Sequence, residues 1–394
     1  MRCTSRQTRN RISGTVASSR LASALGLALA TVLAQSAQAQ TFKTLYTFTG
    51  GADGSAPETD LLLHGGSLYG TTPTGGTSGL GTIFQLNIST GQLTVLHTFA
   101  GAPLDGATSV AGVIRDSAGN LYGTTQIGGS ANLGTVYELG ATGAMVLLHS
   151  FSGSDGSHPV SGLVMDSAGN LYGTCSAGGA GNFGTVFKLG KAGILTTLHN
   201  FAGFHSSHDD GATPYTTLLL QKGVLYGTTL DGGNEKDGTV FMVNASTGKE
   251  SLLYNFPRNL DGSAPTALVT DGKGNLYGTA ALEYGAVYML NVSTRAETTL
   301  YTFPQSGAYG LEPEGVIRNS AGNLYGTTYE DGAFGYGTVF MLDTANNLTT
   351  LYNFSGGTDG AYPLAGVVQD SEGNLYGSAS DLYAGFGTIF EITP

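Results

Sequence analysis

His205, His208, Asp209 and Asp210 fall close together in one connecting segment. Imidazole nitrogens and carboxylate oxygens are suitable ligands for a divalent cation, so the group would take calcium or zinc. Asp231, Glu235 and Asp237 follow in a glycine-rich connection, Glu330 and Asp331 in a later one, and Asp381 in the last. The corresponding early connections, such as Pro73 to Leu80, carry no charge, so one half of the surface these segments share turns acidic. Metal ligation is expected from the first four residues and ligand binding from the other six. No spacing among them matches an established metal motif, and a solvated polar insertion is the competing reading. No other cofactor is expected.

Other chemistry-bearing residues read as structural. His97, His149 and His199 occupy a position that is Tyr46, Tyr254, Tyr301 or Tyr352 elsewhere, so either ring serves there. An Asp-Gly-x-x-Pro pattern recurs around Asp53, Asp155, Asp210, Asp261 and Asp359, where Asp-Gly makes a turn as readily as it makes an acidic ring. Gly178 to Gly184 resembles a phosphate cradle, but such a loop needs a helix behind it and here strands lie on both sides. Glu312 and Glu314 flank Pro313 and are the only paired carboxylates peculiar to one copy of their loop, which makes them a candidate acid/base couple. No Ser/His/Asp set stands out.

These segments connect the elements of a repeat. Leu-Tyr-Gly recurs at Tyr69, Tyr122, Tyr172, Tyr226, Tyr277, Tyr325 and Tyr376, at intervals of 53, 50, 54, 51, 48 and 51 residues. That range belongs to propeller blades and solenoid turns. One copy predicts four short strands: A at Gly162 to Met165, B at Leu171 to Thr174, C at Thr185 to Leu189 and D at Leu195 to Phe201. Leu171 and Tyr172 are adjacent and both large, so both sheet faces are covered, as in radially packed blades. The glycine after each tyrosine lies inside a strand, where it is costly unless another group must come close. The mature chain opens on strand D, residues 42–48, and closes on strand C within 359–394. The expected fold is therefore an all-β, seven-bladed β-propeller with four antiparallel strands per blade, in which the amino-terminal strand D completes the carboxyl-terminal blade. The D-to-A and B-to-C connections should then share one face around a central channel.

The pattern from Asp166 to Leu189, followed by Leu198-His199-Asn200-Phe201, resembles the GloVer tandem repeat of choice-of-anchor exported bacterial proteins, along the whole mature chain. The resemblance implies the fold and export, and no activity. Members end in a sorting or anchoring segment, whereas this chain ends at Pro394 directly after a strand. More loosely, the D-x-x-G-N-L-Y hairpin is similar to that of NHL and gluconolactonase-like propellers, which include binding modules and enzymes.

Arg2, Arg6, Arg9, Arg11 and Arg20 precede an apolar run from Leu21 to Ala34 and the step Ala37-Gln38-Ala39, the pattern of a secretory signal peptide over 1–39. A single domain over 40–394, periplasmic or extracellular, monomeric and without a membrane span, should remain. Loss of the leader takes the net charge from -12 to -17, because five arginines leave with no acid. Such a chain has no electrostatic means of holding nucleic acid. Cys175 is then the one cysteine left, at a position that is threonine in other copies, and reads as a small buried residue. The expected function is an exported binding or scaffold module for a glycan, peptide or partner protein. The alternative is a metal-assisted hydrolase, lactonase or lyase working from the acidic loops of blades 4 to 7.

Overall fold

The computed structural model describes residues 40–203, 210–234, 236–257, 264–281, 284–305, 309–380 and 385–393. These form a seven-bladed β-propeller. In blade 3, strands A (Val164–Met165), B (Leu171–Cys175), C (Thr185–Leu189) and D (Leu195–Asn200) make one antiparallel sheet, and six further sheets repeat it. Strand A is shorter than its sequence suggests. Gly162 leaves the ladder because its N–H is taken by Thr217 Oγ1 of the next blade, 3.0 Å away, and Ser161 turns its hydroxyl to Thr174.

The ring closes through its ends. Thr41–Thr47 pairs antiparallel with Thr388–Thr393, which supplies the missing strand D of blade 7. Closure covers the edge of strand C in blade 7, which would otherwise be open to pairing with another chain. An aromatic ladder runs across every blade junction: the phenylalanine ending each strand D lies edge-on to the strand C ring of the following blade. Phe151 and Phe187 have centroids 5.2 Å apart, Phe354 and Phe390 5.3 Å, and the junction that joins the two chain ends, Phe48 with Phe84, 5.3 Å. Nearer the axis, strand B hydroxyls donate to carbonyls of the next strand A. Thr71 reaches Ala111 at 2.9 Å, Thr327 reaches Ala365 at 2.8 Å, and Ser378 reaches Thr59 across the closure at 3.3 Å.

The strand B glycine now has its reason. Gly173 pairs with Phe187, and a Cβ there would sit 2.6 Å from the Phe187 ring and 3.0 Å from Leu163. The same ring overlies Gly70, Gly227 and Gly377 in other blades. The tyrosine beside it is held at its far end, because the Tyr172 hydroxyl donates to Asp166 in the A-to-B hairpin at 2.9 Å, as Tyr376 does to Asp370 at 3.0 Å. Cys175 is fully buried in place of threonine, and burial pushes its thiol well above the usual range. It is thus packed rather than reactive.

Among the described residues no helix is long and apolar enough to cross a membrane.

Candidate functional site

The D-to-A and B-to-C connections share one face. Ser55 bridges to Thr74, Ser157 to Ala177, and Gly106–Ala107 pairs with Ile127–Gly128, each joining a D-to-A loop to the B-to-C loop of its blade. In each D-to-A loop the residue two after the glycine takes a left-handed backbone, including the β-branched Thr108 and Thr213 at φ 56°. That conformation costs energy in a non-glycine residue and persists where packing imposes it. Here it points strand A into the central channel, while its N–H ties the preceding blade: Thr213 N–H donates to Phe183 O at 2.9 Å and His158 N–H to Leu133 O at 2.8 Å.

The recurrent Asp of these loops faces strand D of the preceding blade. His149 Nε2 donates to Asp155 at 2.8 Å, His97 to Asp105 at 3.0 Å, and the Tyr46 and Tyr352 hydroxyls to Asp53 at 2.9 Å and Asp359 at 3.0 Å. Histidine and tyrosine interchange because each presents one donor at the same reach. Burial alone would raise these carboxyls, but hydrogen bonds outweigh it: Asp155 is held low by Ser152 and His149, and Asp359 by Ser355 and Tyr352.

Asp210 belongs to that set. Its carboxylate accepts from His199 Nε2 at 2.8 Å and from Ala202 N–H at 2.9 Å, so it is occupied by its own turn. His205, His208 and Asp209 lie outside the described residues, as do Glu235 and Asp381. Asp231 is exposed at the end of strand B of blade 4, where the B-to-C loop begins, while Asp237 Oδ2 is shut off from water without a hydrogen-bond partner among the described residues. Glu330 and Asp331 lie two blades further round, and the charge of Glu330 acts on Glu312 rather than on the blade 4 acids. Among the described residues no three His, Cys, Asp or Glu side chains come together as a metal site.

What does converge lies in the channel. A cavity of about 480 Å³ opens where the strand A segments meet, lined by Glu58, Asp60, Tyr215 and Glu314 together with Val110, Val160 and Leu364. Each of the four polar residues departs from the repeat. The place of Glu58 and Tyr215 is Val110, Val160 or Leu364 in other blades, and that of Asp60 is Gly112, Gly162 or Gly366. Pairing with strand B puts Glu314 at the level of Ser161 and Thr216, because blade 6 is one residue shorter after its proline. Asp60 also has a structural duty, accepting the Gly366 N–H of blade 7 at 3.1 Å. Glu58 and Glu314 have no hydrogen-bond partner among the described residues.

The electrostatics follow from enclosure. Burial, then the charge of Glu312, pushes the Glu314 carboxyl up to about 8. Burial also raises Glu58, and it raises Asp60 against the opposing pull of the Gly366 N–H, although Asp60 still meets channel water. Tyr215 as a residue is 47% exposed, and its hydroxyl is raised by burial and then by the charges of Glu314 and Glu58. The sequence singled out Glu314 but missed Glu58, Asp60 and Tyr215. The signal was available: only an alignment of strand A across blades shows a carboxylate or phenol where the other copies carry an aliphatic residue or glycine.

Comparison with known structures gives the same fold on distant sequences. The extracellular domain of a two-component system from B. thetaiotaomicron matches at TM-score 0.60 and 12% identity, over 89% of this chain and 39% of that one. This chain thus spans about two fifths of that domain. An oligogalacturonate lyase from Vibrio parahaemolyticus matches at TM-score 0.57 and 12% identity, over 90% and 96% of the two chains. A protein described as a 6-phosphogluconolactonase, from Bacteroides uniformis, matches at 0.53 and 16%, over 80% and 89%. At such identities the likeness concerns the fold alone. No curated protein matches the sequence. The model of one repeat family matches residues 28–176, 104–283 and 280–394, end to end over the blades, and the chain belongs to that family, the Gloeobacter/Verrucomicrobia repeat.

Proposed function

We propose that the protein is an exported binding module, holding a glycan, peptide or partner protein at the loop face, with the channel mouth as the central contact. The observation that carries this reading is the coincidence of the cavity with departures from the repeat. Residues common to the blades build the ring, and the side chains that replace them at Glu58, Tyr215 and Glu314 all open on one space. Its volume is that of a small-ligand pocket or of an inserted side chain, and aliphatic walls with a few converging polar groups are what such pockets present. Asp231, Asp237, Glu330 and Asp331 would extend the contact outward along the blade 4 and blade 6 loops. Calorimetric titration with glycans, cell-wall fragments and peptides tests it. Saturable binding weakened in an Asp231→Asn/Glu314→Gln variant is expected; no saturable binding across the panel would end the proposal.

A second reading, a metal-assisted hydrolase, lactonase or lyase, is favoured by one observation. A carboxyl raised to about 8 keeps its proton at neutral pH, the state a general acid needs. The substrate of the lyase neighbour does not carry over easily, because an oligogalacturonate is a polyanion and this channel presents carboxylates. Turnover of lactones or glycosides that disappears in Glu314→Gln would establish the enzyme, and inertness to both would remove it.

A further inference from the structure

The charges of the two ends of the propeller differ. In the sequence the D-to-A and B-to-C connections carry two cations, Lys236 and Arg258, against most of the chain's acids. Arg115, Lys191, Lys222, Lys249, Lys273, Arg295 and Arg318 all lie at the opposite end, in or beside the A-to-B and C-to-D turns, interspersed with acids there. The negative charge of the mature chain is therefore carried by the face that holds the cavity. Low-dielectric walls around such a mouth focus the field into it.

The cavity adds a second, independent indication. Glu314 is largely enclosed, lines the cavity and has no hydrogen-bond partner among the described residues; Glu58, half-buried, lines the same cavity and likewise has none among them. In the free protein enclosure is relieved by protonation, and a cation seated beside these carboxyls would favour their ionised form and pair with it. Beside them stand the exposed Tyr215 and the aliphatic walls of Val110, Val160 and Leu364. A lysine or arginine side chain meets all three features: its methylene stem suits the aliphatic wall, its charge suits the carboxylates, and its cationic head suits the face of a tyrosine ring. A bare metal ion suits them less well, since among the described residues the carboxylates do not come together as a ligand cluster.

Building on the binding-module reading, we infer that the ligand is a cationic peptide segment which inserts a lysine or arginine into the channel between Glu58, Glu314 and Tyr215. The test is fluorescence titration of the mature chain with dansyl-tetralysine, dansyl-tetraglutamate and a neutral oligosaccharide. Saturable binding of the tetralysine is expected, at least tenfold tighter than the tetraglutamate, weakened at least tenfold in Glu58→Gln/Glu314→Gln, and unchanged in Asp343→Asn on the far face. Equal binding of both peptides, or tetralysine binding indifferent to the channel variant, would overturn the inference and mark the contact as diffuse charge attraction. Oligosaccharide binding lost in a Tyr215→Val variant, with no tetralysine binding, would also overturn it while leaving the binding-module reading intact. Silence from all three probes and from the wider panel would remove both.

Discussion

Replacing Glu314 by glutamine should flatten the alkaline side of the stability profile. The Glu314 carboxyl moves from an ordinary 4.5 to about 8, first through burial and then through the charge of Glu312. Its folded value lies above its unfolded one, so the stability it contributes is fully present below pH 4.5 and is lost as pH rises through about 8. A displacement of roughly 3.5 units at about 1.4 kcal/mol each amounts to about 5 kcal/mol at full ionisation. For a chain of this size the entropy of unfolding converts that to roughly 6 °C in the melting midpoint. Glutamine has the shape of the protonated carboxyl and no charge to lose. Thermal melts of the two proteins should therefore coincide near pH 5 and diverge toward pH 9, where the variant melts higher by about that amount. Glu58 and Asp60 titrate in both proteins and cancel in the comparison. Two curves separated by a constant offset from pH 5 to 9 would show that Glu314 is open to bulk water, and the channel geometry derived above would be wrong.

Three other substitutions bear on the framework. Tyr288 is buried in strand C with a hydroxyl that has no partner among the described residues, at a position that is Tyr137 in blade 2 and Phe84, Phe187, Phe241, Phe340 and Phe390 in the others. Tyr288→Phe should raise stability to chemical denaturation by about 1 kcal/mol, and a loss would mean the hydroxyl is satisfied. Asp155→Ala removes the acceptor for Ser152 and His149 and should cost about 1–3 kcal/mol, whereas His149→Tyr should be nearly neutral. The lowered carboxyls of Asp53, Asp105, Asp155 and Asp359 contribute stability that is present above the ordinary carboxylate range and lost as pH falls through their folded values, so acid melts should show a steep loss below about pH 4 that Asp155→Ala makes shallower. Deleting residues 41–47 leaves Thr388–Thr393 without its partner, and the truncated chain should lose its cooperative transition or self-associate through that edge in sedimentation.

The architecture was legible because the repeat states it seven times. The number of blades, the strand order within each and the exchange between the termini all follow from where Leu-Tyr-Gly recurs and from which strand each end matches. The interchange of histidine with tyrosine on strand D was also visible, but not its cause, since the Asp155 that accepts the hydrogen bond lies beyond a turn whose geometry the sequence does not fix. Strand A was overextended for a related reason: Gly162 gives its N–H to Thr217 of another blade, a contact between residues far apart in the chain. The site was less legible. Attention to charge in the loops selected Asp231, Glu330 and Asp331, which are spread around the face, and Asp210, which its own turn occupies. Glu58 and Tyr215 escaped because each looks unremarkable in its own loop and stands out only beside Val110 and Val160.

The central claim is that side chains departing from the repeat in the channel hold the ligand. The repeat itself supplies the neutral replacements: Glu58→Val and Tyr215→Val copy Val110 and Val160, and Glu314→Ser copies Ser161. Titration calorimetry on this triple variant, with whichever probe the wild type binds, should show affinity reduced at least a hundredfold while the melting midpoint at pH 6 is retained. A variant that folds and binds as tightly as the wild type would place the ligand elsewhere and contradict the claim.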